Sequence, residues 1–174
     1  MNLAGQLIGF AAVGISAVIY LQKNRKKILV VKLLTDVLWA VHHFLIGNTI
    51  AAITTGMAIS REILLIKKRK FVFLIIFPIL FFIPLLFTYK NITSLIPPLA
   101  SSVSTFGFYN KNVRLIKVFG VSVSVLMLIY GVCNNSAATD VNELIVLSSI
   151  AASEIKIKIE KHKYYTVKKE LKNA

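Results

Sequence analysis

Apolar stretches about as long as the hydrocarbon core of a bilayer is thick recur along this chain, cut by clusters of lysine and arginine. A spanning helix needs about 20 such residues, with about 17 to 25 tolerated. Cutting at the charge clusters gives seven spans, at about 4–22, 28–47, 49–66, 71–89, 92–110, 114–133 and 141–158. Inside a membrane the backbone must satisfy its own hydrogen bonds, so stretches of this length read as helices. The tail of the last span, "EIKIKIEKHK", alternates as a strand would. A helix leaving the membrane with lysines reaching for phosphates accounts for it equally well, and we read a helix.

The basic clusters fall in every second connection: "KNRKK" after the first span, "KKRK" after the third, "NKNVRLIK" after the fifth and the tail after the seventh. The other connections carry little positive charge: Gly47–Asn48 none, the turn after the fourth span only Lys90, and "NNSAATDVNE" is acidic. The positive-inside rule then gives an N-out, C-in chain, and an even number of helices would break the alternation. "MNLAGQ" has no positive residue ahead of the first apolar run, the reverse of a cleavable signal peptide, so the first segment is expected to remain as a helix.

A net charge of +14 alone would suit a nucleic-acid binder. With 56% hydrophobic residues and a mean hydropathy of +0.74, the chain lacks the soluble basic face such a protein needs, and no nucleic-acid partner is expected. Orientation signals resting on an anionic leaflet explain the clusters, which makes membrane lipids the first partner. Cys133 is the single cysteine, so no intrachain disulfide, thiol pair or cysteine-built metal site is expected.

The fourth span, "FVFLIIFPILFFIPLLFTY", is apolar on every side and carries Pro78 and Pro84, which should bend it; it reads as a lipid-facing connector. On either side of it the chain is similar to itself. "QLIGFAAVGISAVIYLQKN" from Gln6 lies against "SLIPPLASSVSTFGFYNKN" from Ser94 without a gap, pairing Leu7 with Leu95, Ser16 with Ser104 and Asn24 with Asn112. The same register sets His42 opposite Tyr130, and after a longer loop "AISREILLIKKRK" lies against "AASEIKIKIEKHK". The expected fold is an all-α polytopic membrane protein with seven transmembrane helices. Two parallel three-helix repeats, over 1–70 and 92–163, are joined by a linker helix over 71–91 and followed by a basic cytoplasmic tail over 164–174.

The glycine-rich "QLIGFAAVGIS", the "HHFLIG" that ends the second span, the arginine of "ISRE" and the "LIPPLASSVST" that opens the second repeat resemble the YgjV-type bacterial inner-membrane proteins, grouped with the SWEET, SemiSWEET and PQ-loop transporters. The resemblance covers most of the chain. It implies an inner-membrane location and matches His42, Gly47, Arg61, Pro97, Ser104 and Thr105 to positions of the family. Tyr130 stands where relatives carry a second-repeat histidine, and the proline-glutamine pair of the wider group is Gly9–Phe10 and Pro97–Pro98 here.

At about 100° per residue, Lys32, Asp36, Trp39 and His43 share one stripe of the second span, with Thr35 and His42 along its edge. An ionised carboxylate at midspan costs about 2.5–3.5 kcal/mol on insertion scales, so Asp36 needs an offset. Lys32, one turn away, and Arg61, at similar depth, could supply it as helix glue; intramembrane ionisable groups are equally candidates for handling solute or protons. Trp39 could stack on a sugar ring or fill space between helices. His42 and His43 point about 100° apart, so at most one faces a given pocket, and with one aspartate they make no metal site.

Thr54 shares a stripe with Arg61 on the third span, and Ser148, Ser149 and Ser153 are hydroxyls of the seventh. Small residues four apart, at Gly5 and Gly9, Gly56 and Ser60, and Ser149 and Ser153, permit close helix approach. Pro97–Pro98 predicts a bend, and a hinge in a molecule that rocks. Without a nucleophile elbow, a phosphate loop or a carboxylate pair for acid–base work, no enzyme activity and no cofactor are expected.

The leading expectation is a transporter of a small polar solute, a sugar or an amino acid, working by alternating access. Asp36, Trp39, His42, Thr54, Arg61, Tyr130 and Ser149 would surround a midplane pocket, with Pro97 and Pro98 as hinge. The alternative is a non-transporting protein that binds a partner or lipid through its basic cytoplasmic face. A second copy of the chain is a candidate partner in either.

Overall fold

The computed structural model describes residues 3–134 and 137–173; Asn135 and Ser136 of the acidic turn, together with Met1, Asn2 and Ala174, lie outside the described residues. The described chain is helical throughout: α1 (Leu3–Ile19), α2 (Arg25–Leu45), α3 (Thr49–Lys67), α4 (Phe73–Phe82), α5 (Leu85–Thr88), a 3-10 turn at Ile92–Leu95, α6 (Ile96–Tyr109), α7 (Val113–Cys133) and α8 (Ala137–Asn173). α4 and α5 together occupy the fourth expected span. Among these, α2 and α7 are long and apolar enough to cross a membrane, while α1 and the Phe73–Thr88 pair are apolar but shorter.

Local chemistry sets the boundaries. α2, α3 and α7 each begin after an asparagine whose side-chain oxygen accepts a first-turn N–H: Asn24 from Lys26 at 2.8 Å, Asn48 from Ala51 at 3.2 Å and Asn112 from Arg114 at 2.9 Å. The Asn24 and Asn112 paired by the internal alignment are thus both helix caps. Beyond α2, Gly47 turns the chain at φ 78°, a left-handed conformation that glycine adopts without penalty.

The prolines behave differently from the sequence expectation. Pro84 coincides with the break between α4 and α5, whereas Pro78 lies inside α4. Pro97 and Pro98 stand in the first turn of α6, where an N–H has no intrahelical acceptor to lose, so they start a helix instead of bending its interior. The alternating tail is helical: α8 runs 37 residues, about 55 Å at 1.5 Å per residue, well beyond a hydrocarbon core of about 30 Å.

α2 packs between α1 and α3, and α7 between α6 and α8; α1 meets α8, α3 touches α6, and α4 lies outside against α6 and α3. Six helices therefore form a ring. Helix seams close on glycine at four positions: a Cβ at Gly9 would stand 2.8 Å from the His42 ring, one at Gly107 2.7 Å from Phe119 Cβ, one at Gly120 2.7 Å from the Tyr20 ring, and one at Gly131 would collide with the Asp140 carboxylate. The Gly56–Ser60 pair does not make the close seam its spacing suggested, since nothing stands within 4 Å of a Cβ at Gly56 and Ser60 is exposed.

Burial is inverted relative to a water-soluble domain. Large apolar side chains such as Phe10, Ile79, Leu86 and Phe87 face outward, while Asp36, Arg61, Glu62, Lys117 and Glu143 are buried. One apolar cluster is buried too: Ile19, Tyr20, Ile28, Leu29, Leu65, Phe108, Ile116, Val146 and Ile150. Most of these residues sit at the helix ends next to the basic connections. Basic side chains tie that end together: Arg25 donates to the carbonyls of Phe108 (2.9 Å) and Leu65 (3.2 Å), Arg69 donates to that of Tyr109 (3.4 Å), and Lys23 pairs with Glu160 at 2.6 Å.

Candidate functional site

Next to the apolar cluster, and bounded on one side by Ile19, Tyr20 and Val146 of it, the ring surrounds a half-open cavity of about 260 Å³. Every helix of the ring contributes polar groups to its wall: Ser16 from α1, with Tyr20 just beyond its end; Lys32, Thr35, Asp36, Trp39 and His43 from α2; Thr54, Thr55 and Arg61 from α3; Ser101 and Ser104 from α6; Ser124 from α7; Asn142 and Glu143 from α8. α4 and α5 contribute none of the lining residues.

An ionic chain crosses this wall. The Lys32 ammonium donates to Asp36 Oδ1 and lies 4.0 Å from Glu62 Oε1. Arg61 Nη2 donates to the same Glu62 oxygen at 3.1 Å, and its Nη1 donates to the Ser101 carbonyl at 3.0 Å and Thr105 Oγ1 at 3.3 Å. The rings of Phe81 and Phe108 sit 5.3 and 5.4 Å from the guanidinium carbon. Asp36, Arg61 and Glu62 are 4%, 2% and 0% exposed, so each charge depends on its partners for the solvation that burial removes. Arg61, expected beside Asp36, is instead one link further along.

Of the residues expected around a pocket, Asp36, Trp39, Thr54 and Arg61 line this cavity; His42, Tyr130 and Ser149 do not. His42 turns into the α1–α2 seam, where Nδ1 donates to the Gly5 carbonyl at 2.8 Å, and it is His43 that reaches the wall, stacked on Trp39 with ring centroids 5.6 Å apart. Tyr130 is half-buried near the end of α7, with its carbonyl accepting from the Asn134 amide at 2.8 Å. Ser149 is buried along a separate apolar groove with Ala17, Leu21 and Leu144. No group of three metal-ligating side chains occurs among the described residues.

Ser124, Asn142 and Glu143 escaped the sequence reading. Ser124 could have been found, because the register that pairs His42 with Tyr130 also pairs Asp36 with Ser124. Asn142 and Glu143 fall at the start of the expected seventh span, in its acidic lead-in, and nothing in the local sequence marks them as wall residues; α8 begins earlier, at Ala137. A second buried cation, Lys117, donates to Ser153 at 2.7 Å and Glu154 at 2.9 Å across the α7–α8 seam, apart from the cavity.

The Imp-YgjV family model, which describes bacterial inner membrane proteins, aligns with residues 3–161, and the chain belongs to that family. No curated protein and no solved structure matches the chain.

Proposed function

We propose that this inner membrane protein is a multi-pass transporter of a small polar solute that works by alternating access. One observation carries the reading: a charged, polar cavity is lined by all six ring helices, inside a molecule whose outer surface is apolar. A membrane protein with no solute to handle gains nothing from placing Lys32, Asp36, Arg61 and Glu143 around open space. The arrangement would be two three-helix units, α1–α3 and α6–α8, with the α4–α5 pair as linker, N-terminus out and C-terminus in. Each unit has its middle helix between the other two, and the first helix of each meets the third of the other, as a two-fold axis along the membrane normal requires.

In this reading the solute enters from the end opposite the basic connections, and the apolar cluster with its Arg25 and Lys23 ties closes the basic end. Opening that end means separating contacts that join the two units. The test is thiol accessibility in intact cells and inverted vesicles, using Ser104→Cys in a Cys133→Ser background. Labelling by a membrane-impermeant reagent from the outside supports the reading. Protection from both sides, with the protein folded, would sink it.

The non-transporting alternative draws on α8, whose exposed Lys156, Lys158, Lys161 and Lys163 extend past the ring. It requires the cavity to be closed to water, which the same labelling decides.

A further inference from the structure

The ion pairs of the cavity leave one carboxylate over. Lys32 is taken up by Asp36 and Glu62, and Arg61 by Glu62 and the oxygens of α6. Glu143, on α8 and 9% exposed, makes no ion pair among the described residues; the Ser124 hydroxyl lies against its carboxyl, its Oε1 accepts from the Asn142 amide at 3.1 Å, and Lys32 acts on it only through space. Five further side-chain atoms on residues of the same wall have no hydrogen-bond partner: the oxygens Asp36 Oδ2, on a side chain 4% exposed, Asn142 Oδ1 and Ser124 Oγ, and the nitrogens His43 Nδ1 and Arg61 Nε. By formal charge the ionic chain and Glu143 thus set three carboxylates, Asp36, Glu62 and Glu143, against the two cations Lys32 and Arg61, and two of the three unpartnered wall oxygens are acidic or amide oxygens.

A neutral polyol would satisfy the oxygens and leave the charge, and an anion would add to it. A primary ammonium supplies three donors and the missing positive charge together. We propose that the cavity takes an organic ammonium solute, its charged nitrogen held by Glu143 with Asn142 Oδ1 and Asp36 Oδ2 as the other acceptors. This rests on the reading of the cavity as a solute site.

Two measurements test it. The first reads the sign of the cavity's potential without knowing the solute. Met127→Cys, in the Cys133→Ser background, places a thiol in the wall one turn from Ser124. Aminoethyl methanethiosulfonate should modify it at least ten-fold faster than the anionic sulfonatoethyl reagent, after correction for their rates on a free thiol. Glu143→Gln should remove the preference. An equal or inverted ratio overturns the ammonium assignment while leaving a solute cavity in place. No reaction with either reagent overturns the cavity reading itself.

The second is thermal unfolding in detergent with putrescine, agmatine and lysine against butanediol, glucose and succinate. A ligand of the folded state raises the midpoint by mass action. Amines alone should do so, with at least ten-fold weaker titration in Glu143→Gln or, where that variant does not fold, in Asn142→Leu. Stabilisation by the neutral or anionic solutes, or by sodium chloride alone, overturns the proposal.

Discussion

Lys32 carries more than its share of the site. It answers both Asp36 and Glu62, so Lys32→Ala strands the buried Asp36 and leaves Glu62 to Arg61 alone, and removing one partner of a buried pair costs about 3–5 kcal/mol. Chemical unfolding in detergent should show that loss, and Lys32→Ala with Asp36→Ala should recover part of it. Strict additivity of the two would mean that the charges do not communicate. This part of the site was legible: the stripe of Lys32, Asp36, Trp39 and His43 follows from helical periodicity alone, and all four residues line the cavity. Periodicity says which residues share a face but not which neighbour the face meets. For that reason the sequence favours His42 over His43 and offers Arg61 as a partner for Asp36, where the structure gives it Glu62.

At the scale of the element, helix seams depend on what stands opposite a small residue, and the two glycine pairs make a matched comparison. Gly9→Ala pushes a methyl against the His42 ring and displaces it from the Gly5 carbonyl, an overpacking cost of about 1–3 kcal/mol. Gly56→Ala meets open space and should gain about 0.5–1 kcal/mol from helix propensity. Thermal midpoints moving in opposite directions would bear this out; a loss at both positions would show that Gly56 is covered by something outside the chain. The order of the helices was readable because charge clusters punctuate the chain, with α4 and α5 together filling the fourth expected span. The start of α8 at Ala137 was not, because the polar residues ahead of the apolar run read as a turn, and nothing in the local sequence marks Asn142 and Glu143 as a cavity wall.

Across the whole molecule, the basic end is fastened partly by charge. Glu160 has its carboxyl held below the ordinary carboxylate range by its hydrogen bond from Lys23. A lowered carboxylate pKa contributes stability that is present above its unfolded value of about 4.3 and is lost as pH falls through the lowered one. The pair is solvent-exposed and screened, so Glu160→Gln should leave the midpoint unchanged near pH 7 at about 0.15 M salt and lower it only at low ionic strength. A large drop at high salt would show that the tie is not screened.

The apolar cluster next to the cavity has an electrical consequence in the proposed transporter. Water filling the cavity would carry the potential of the outer solution down to Tyr20, and the solution around the basic connections would carry the inner one up to Arg25 and Lys23. The membrane voltage would then fall across the few side chains between them, Leu29, Leu65, Phe108 and Ile116 among them. A singly charged solute crossing that septum would traverse nearly the whole drop, about 2.3 kcal/mol for each 100 mV. In an energised cell the inward step of a cation would then be driven at this layer, and uptake should collapse with the voltage even where its concentration gradient is unchanged.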